Sequence, residues 1–324
     1  MDRLSRRTFC TMLACAALPV RAAGESWPSK PVQILVPGGT GGVTDIRARW
    51  IASRLSAAIG QPVVVENRAG AAGLIGMEAG ARAAPDGHTL LIVHQGTMAV
   101  NPHVYSKLPY DAVRDYAPIT RLGAGPLALV CPPALGVRSV EGLIALARSR
   151  PQPLAFGSPG VGTPPHIAAE LFRRETGVPL THVPYKGGGQ AASDLIAGHV
   201  DFSIEGLTVT QPHIKAGRLV ALATTGRERV ALLPDVPTMR EAGLPGYRYE
   251  GWVGIVAPAA TPKAIVDRVH AAIARVMETE EGRAWFATAG ADAVALPPEA
   301  FAAFIREEHD RLGRLVRDAG IRME

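Results

Sequence analysis

The stretch Val36-Pro37-Gly38-Gly39-Thr40-Gly41-Gly42-Val43-Thr44-Asp45 joins an apolar segment to a helical pattern through a glycine cluster. Ahead of it, residues 31–36 form the short aliphatic run of a buried strand. Behind it, Ile46, Trp50, Ile51, Leu55 and Ile59 recur on one helix face, and Gly60 marks a helix stop. Residues 63–66 predict a second strand. Residues 74–84 predict a second helix, closed by the turn Pro85-Asp86-Gly87, and residues 89–93 a third strand. Strands and helices that alternate over short links predict a parallel sheet with helices on its faces, an α/β fold.

The same alternation restarts downstream. Strands are predicted at 127–131, 154–156, 178–183, 200–204, 219–224 and 252–256, and helices at 140–148, 164–175 and 189–197. Two longer helices are expected at 263–277 and 299–319, packed on the first unit. The chain therefore divides into two α/β lobes, residues 24–125 with 251–324 and residues 126–250. The links fall near 121–126 and 247–252. Two lobes joined by more than one crossing create a hinged cleft, a usual place for a small ligand.

The length of 324 residues suits two such lobes. A hydrophobic share of 47% against 19% charged residues excludes a largely disordered chain, and the 35 Gly and 27 Pro, being aperiodic, exclude collagen. The formal charge is +5, which at face value suggests an anionic partner. Much of it sits at the N-terminus. Arg3, Arg6 and Arg7 precede a small, apolar run over residues 8–20, and small residues follow at Ala22-Ala23. Residues 1–23 thus read as an export signal, too short to span a membrane. Ser5-Arg6-Arg7-Thr8-Phe9 resembles a twin-arginine signal, with the general secretory route as the alternative. Removal of residues 1–23 leaves 30 basic against 28 acidic residues, about +2. No basic stripe with interleaved aromatics remains, so nucleic acid is not an expected partner. Cys10 and Cys15 leave with the signal. Cys131, after four apolar residues, reads as a buried structural thiol.

Each lobe has a strand, a Gly-rich loop and a helix start, at residues 36–45 and 156–166. Thr163 before Pro164 matches a helix cap followed by proline, and Thr44 or Asp45 would cap the other helix. Helix starts present unpaired N–H groups that suit an anion; the alternative is a pair of tight turns. Asp45 is repulsive to an anion, so it is expected to cap or to orient a backbone amide. Gly96 and Thr97 follow the third strand at its carboxyl end, where open α/β sheets place ligand contacts. Asn67, Arg68, Gly70, Ala71 and Gly73 form a loop that either lines the cleft or is a solvated turn. His166, one turn into its helix, is a packing, hydrogen-bonding or acid–base residue. The dinucleotide, phosphate-loop, nucleophile-elbow and zinc patterns are missing, so no cofactor and no metal are expected.

Across residues 27–321 the segments resemble the substrate-binding proteins of tripartite tricarboxylate transporters, the Bug receptors. The resemblance is carried by Trp27-Pro28-Ser29-Lys30-Pro31-Val32, Gly41-Gly42-Val43-Thr44-Asp45, Gly60-Gln61-Pro62-Val63-Val64-Val65-Glu66-Asn67-Arg68, Ala84-Pro85-Asp86-Gly87, Lys107-Leu108-Pro109-Tyr110-Asp111, His182-Val183-Pro184-Tyr185-Lys186-Gly187 and Leu233-Pro234-Asp235-Val236-Pro237-Thr238. It implies a periplasmic-binding-protein-like Venus flytrap that closes on a small carboxylate and presents it to membrane transporter subunits. The expected chain is a periplasmic monomer and not an enzyme. The site residues it implies are Gly42, Val43, Thr44 and Asp45, Gly96 and Thr97, Ser158, Gly162, Thr163 and His166, and Tyr185 ahead of Lys186-Gly187. Two departures stand out. Gly38-Gly39-Thr40 replaces the family's aromatic segment. Glu205-Gly206 stands where the family often has Asp-Asn, and it puts a carboxylate in the cleft that pairs with an amine or shares a proton; the alternative is a solvated loop residue. A sensory receptor for a membrane kinase, or an enzyme using His166 and Glu205, are the other readings.

Overall fold

The computed structural model describes residues 27–318. The expected export signal, with Cys10 and Cys15, lies outside the described residues. β1 (Val32–Val36), α1 (Val43–Ile59), β2 (Val63–Asn67), α2 (Leu74–Ala81) and β3 (Thr89–His94) alternate as the sequence predicts. Apart from Gln33, β1 is buried, which suits its place between parallel β2 and β3. A π-helical turn, Gly96–Val100, and the short α3 (Asn101–Val104) follow.

β4 (Tyr116–Cys131) leads into α4 (Val140–Ser149), β5 (Leu154–Ser158), α5 (Pro164–Thr176), β6 (Leu180–Pro184), α6 (Gly188–Ala197), β7 (Ser203–Gly206), α7 (Leu207–Lys215) and β8 (Val220–Thr224). The chain returns through β9 (Glu250–Pro258) to α8 (Lys263–Glu278), α9 (Glu280–Thr288) and α10 (Pro298–Asp318). The large sheet has the order β2-β1-β3-β9-β4-β7, with β8 also paired to β4. β5 and β6 form a parallel pair, and the bridge Phe156–Phe202 sets them beside β7. This is a mixed α/β fold, with helices packed on the sheets.

The sequence predicts a link at 121–126, but those residues are strand. Ala124, Gly125 and Pro126 stay opposite Trp252, Gly251 and Glu250 of β9, and irregular register between Arg121 and Ala124 absorbs Gly123 at φ 108°. Besides the short α3, two helices escape the sequence pattern. α7 carries Thr208, Val209, Thr210 and an internal Pro212, all poor helix formers, and is anchored by Leu207, buried with Ala128, Val130 and Leu195. α9 follows α8 after the single residue Thr279, whose hydroxyl caps it.

α8 packs on α1 as expected, with Val269 and Ile273 in one core with Trp50, Ile51 and Leu55. α10 packs against the turn Gly96–Val100, α3 and β4, with Gly313 against His103. Phe301 and Ile305 join the core of Leu91 and Trp252, and Leu312 and Val316 join the cluster that holds Val100 and Val104 and continues to Leu129 and Phe156. At 21 residues it is about 30 Å long and reaches both. Cys131 is fully buried, and burial pushes its thiol up to about 11, as suits a packing residue. Among the described residues no helix is long and apolar enough to cross a membrane.

Candidate functional site

A cleft of about 450 Å³ opens where the loops after β1, β5, β6 and β7 meet. Each loop runs at once into a helix. α1 starts from Gly42, α5 from Thr163, α6 from Gly187 and α7 from Gly206, and none of these residues caps its helix through a side chain. Away from the cleft, Ser139 caps α4 by accepting from the Gly142 N–H at 3.0 Å, and Thr279 caps α9 from the Gly282 N–H at 2.9 Å. The cleft therefore collects helix starts whose first-turn N–H groups lack side-chain partners, together with their positive dipole ends. Pro164 and Pro165 remove two donors from α5, so α1, α6 and α7 offer the larger share.

The sequence-derived residues separate into two groups. Gly42, Val43, Thr44, Thr163, Tyr185 and Glu205 line the cleft. The others stand behind it and shape its loops. Asp45 is buried, accepts from the Gly41 N–H at 2.9 Å and pairs with Arg49, which holds its carboxyl below the usual range despite burial. The helix cap expected at Thr44 or Asp45 is thus Gly42, with Asp45 tying back a loop amide. Thr163 occupies the cap position of α5, but its hydroxyl donates to the Gly160 carbonyl at 2.6 Å. Ser158 and His182 lie 2.7 Å apart, and the Gly162 N–H donates to His166 Nδ1 at 3.1 Å. His166 stacks on His182 at 4.2 Å, and burial holds both imidazoles at about 4. Gly96 donates its N–H to His94 Nδ1, and the Thr97 hydroxyl donates to the His94 carbonyl, so both brace His94, which does line the cleft. Glu205 lines the cleft, whereas His166 stands behind it.

Bare backbone lets the loops close on each other. A Cβ on Gly39 would collide with the Lys186 carbonyl, and one on Gly188 would lie 2.7 Å from Gly42 Cα. The Gly189 N–H donates to the Thr40 carbonyl at 3.3 Å across this junction. Gly39, Gly41 and Gly42 thus form an interlock with Gly187, Gly188 and Gly189.

Glu205 is 6% exposed. Its Oε1 accepts from the Gly206 N–H at 2.7 Å, while its buried Oε2 has no partner. Burial pushes the carboxyl up to about 7. Arg47, which the sequence reading passed over, also lines the cleft. It is buried under α9, with its guanidinium 5.9 Å from the Phe286 ring, and burial lowers it to about 10. The i, i+4 spacing from Val43 was the available signal. The loop after β2 is mixed. Arg68 pairs with Glu66, whereas Gly70, Ala71, Ala72 and Gly73 line the cleft, and Ala71 and Ala72 hold φ of 45° and 54°. Such backbone is strained for alanine and is held by its surroundings. Among the described residues no three His, Cys, Asp or Glu side chains converge as a metal site requires.

Residues 47–321 match the family model described as the tripartite tricarboxylate transporter family receptor. The chain belongs to this receptor family. Protein BugT of Bordetella pertussis is 36% identical over 313 residues, 96% of this chain and 96% of BugT. Two solved structures superpose on the receptor along nearly its whole length. R. palustris Rpa4515 with adipate has a TM-score of 0.89 and 35% identity, covering 91% of this chain and 99% of its own. MatC from Rhodopseudomonas palustris with bound malate has a TM-score of 0.84 and 32% identity, covering 90% and 100%. The family resemblance read from the sequence and the α/β binding-protein fold both stand on these matches.

Proposed function

We propose that this receptor captures a small dicarboxylate in the cleft, in the periplasm, and hands it to the membrane subunits of a tripartite tricarboxylate-type transporter. The observation that carries this reading is the convergence of side-chain-uncapped helix starts on one cleft, at Gly42, Thr163, Gly187 and Gly206. N–H groups of that kind bind carboxylate oxygens without a counter-cation. The adipate and malate held by two structural neighbours are of the same ligand class. Gly42, Val43, Thr44, Thr163, Tyr185 and Glu205 are the wall contacts in this reading. Asp45, Gly96, Thr97, Ser158, Gly162 and His166 position the loops. The hinge lies where β4 and β9 pass between residues 24–125 with 251–324 on one side and 126–250 on the other. A ligand that touches both sides favours the closed form, and one that touches a single side does not. The protein acts as a monomeric carrier and leaves its ligand chemically unchanged.

Thermal melts of the leader-free protein with malonate, succinate, glutarate, adipate, malate and citrate test this. At least one is expected to raise the melting temperature, as any ligand of the native state must. No shift with any of them, alongside a shift with neutral sugars or amides, would overturn the reading.

A further inference from the structure

We propose that Glu205 works as a neutral hydrogen-bond donor in the cleft, so that the receptor takes up one proton together with an anionic ligand. The inference rests on the carboxylate reading above. Glu205 ends β7, opposite Ala128 of β4, and is the one carboxylate among the described cleft-lining residues. It is more than nine-tenths buried, and only Oε1 has a partner. An ionised Glu205 would set one carboxylate against another in a desolvated site, which is strongly unfavourable. Once protonated, it loses that repulsion and turns the unpartnered Oε2 into an O–H donor toward the ligand oxygen, a short charge-assisted bond.

The surroundings fix the direction of the effect. Arg47 of α1 and Lys186 after β6 line the cleft as cations, yet neither forms an ion pair with Glu205. The cleft thus carries cations and helix starts enough for an anion, and a lone acid that opposes it. His94 from β3 and His166 from α5 are held neutral near pH 7 by burial. Tyr185 is pushed up to about 12, also by burial first. Glu170 on α5, and His213 and Lys215 on α7, belong to helices packed against or following β7, and none of them lines the cleft. β5 brings no titratable side chain to β7. Burial already raises Glu205 to about 7, and an anion beside it raises it further.

The test is titration calorimetry with adipate and malate between about pH 6.5 and pH 8.5, in buffers of different ionisation enthalpy. Both probes are fully ionised through most of that range, so a pH dependence belongs to the protein. The affinity is expected to weaken more than about tenfold across the range, with close to one proton taken up at the upper end. Glu205→Gln, whose amide cannot ionise, is expected to bind with an affinity that is flat in pH and with no proton taken up. Binding that is independent of pH in the wild type, with no proton uptake, overturns this inference and leaves the carboxylate reading intact. Tight binding of an amino dicarboxylate such as aspartate, strengthening with pH and lost in Glu205→Gln, also overturns it, because Glu205 would then be ionised against an ammonium. No binding of any dicarboxylate at any pH overturns both readings.

Discussion

The Glu205 carboxyl holds its proton more tightly in the folded chain than in the unfolded one, since burial raises it from 4.5 to about 7. Below about pH 4.5 it is neutral in both states and has no effect on stability. As pH rises from there the unfolded chain ionises first, so the folded state loses stability until about pH 7 and is then level. At about 1.4 kcal/mol per unit, Glu205→Gln is expected to stabilise the unliganded protein by roughly 3 kcal/mol at pH 8 and hardly at all at pH 4.5. Urea denaturation at the two pH values reads this directly, and equal stability at pH 8 would contradict it. The buried imidazoles act in the opposite direction. His94, His166 and His182 are each held at about 4, below their usual 6.5, so their contribution is full above pH 6.5 and is lost as pH falls toward 4. With Glu205→Gln removing the opposing trend, melting temperatures are expected to fall steadily from pH 6.5 to 4; a flat profile would show these imidazoles already solvated. Glu205 was legible in the sequence because it stands where the family often has Asp-Asn. Arg47 was not, because a lone arginine on a helix reads as solvent-facing until the other walls of the cleft are known.

At the scale of elements, the junction of Gly39, Gly41 and Gly42 with Gly187-Gly188-Gly189 is expected to govern closure. Gly39→Ala adds a Cβ where the Lys186 carbonyl sits, at a backbone conformation alanine tolerates. Its expected effect is a loss of dicarboxylate affinity of about tenfold or more, with the unliganded melting temperature little changed. Gly60→Ala is the counterpart. Gly60 ends α1 at φ 72° with open space around it, so the change is expected to cost about 1 kcal/mol of stability and leave affinity unaltered. Calorimetry and melts on both variants decide the matter, and normal binding by Gly39→Ala would contradict the interlock. The strand–loop–helix starts were legible because glycine clusters and helix periodicity are local signals. The interlock was not, since it joins loops far apart in the chain. The strand at 121–126 was hidden for a related reason: Gly123, Gly125 and Pro126 look like a linker, and only pairing with β9 makes them strand.

For the whole molecule, β4 and β9 are the strands that cross the proposed hinge. Opening the cleft would bend two strands, so closure is expected to be a small hinge motion of packed elements and not a local unfolding. The overall charge adds little to ligand choice, because much of the +5 lies in residues 1–23. In the proposed function the attraction for an anion comes at short range from the helix starts and from the cations lining the cleft, which predicts an affinity less sensitive to salt than a long-range field would give. The most direct measurement is a crystal structure of the leader-free protein grown with whichever dicarboxylate gives the largest thermal shift. The expected result is a ligand inside the cleft, its carboxylate oxygens within hydrogen-bond distance of first-turn N–H groups of α1, α6 or α7 and one of them beside Glu205. A ligand bound elsewhere, or held in the cleft without contact to any helix start, would contradict the account.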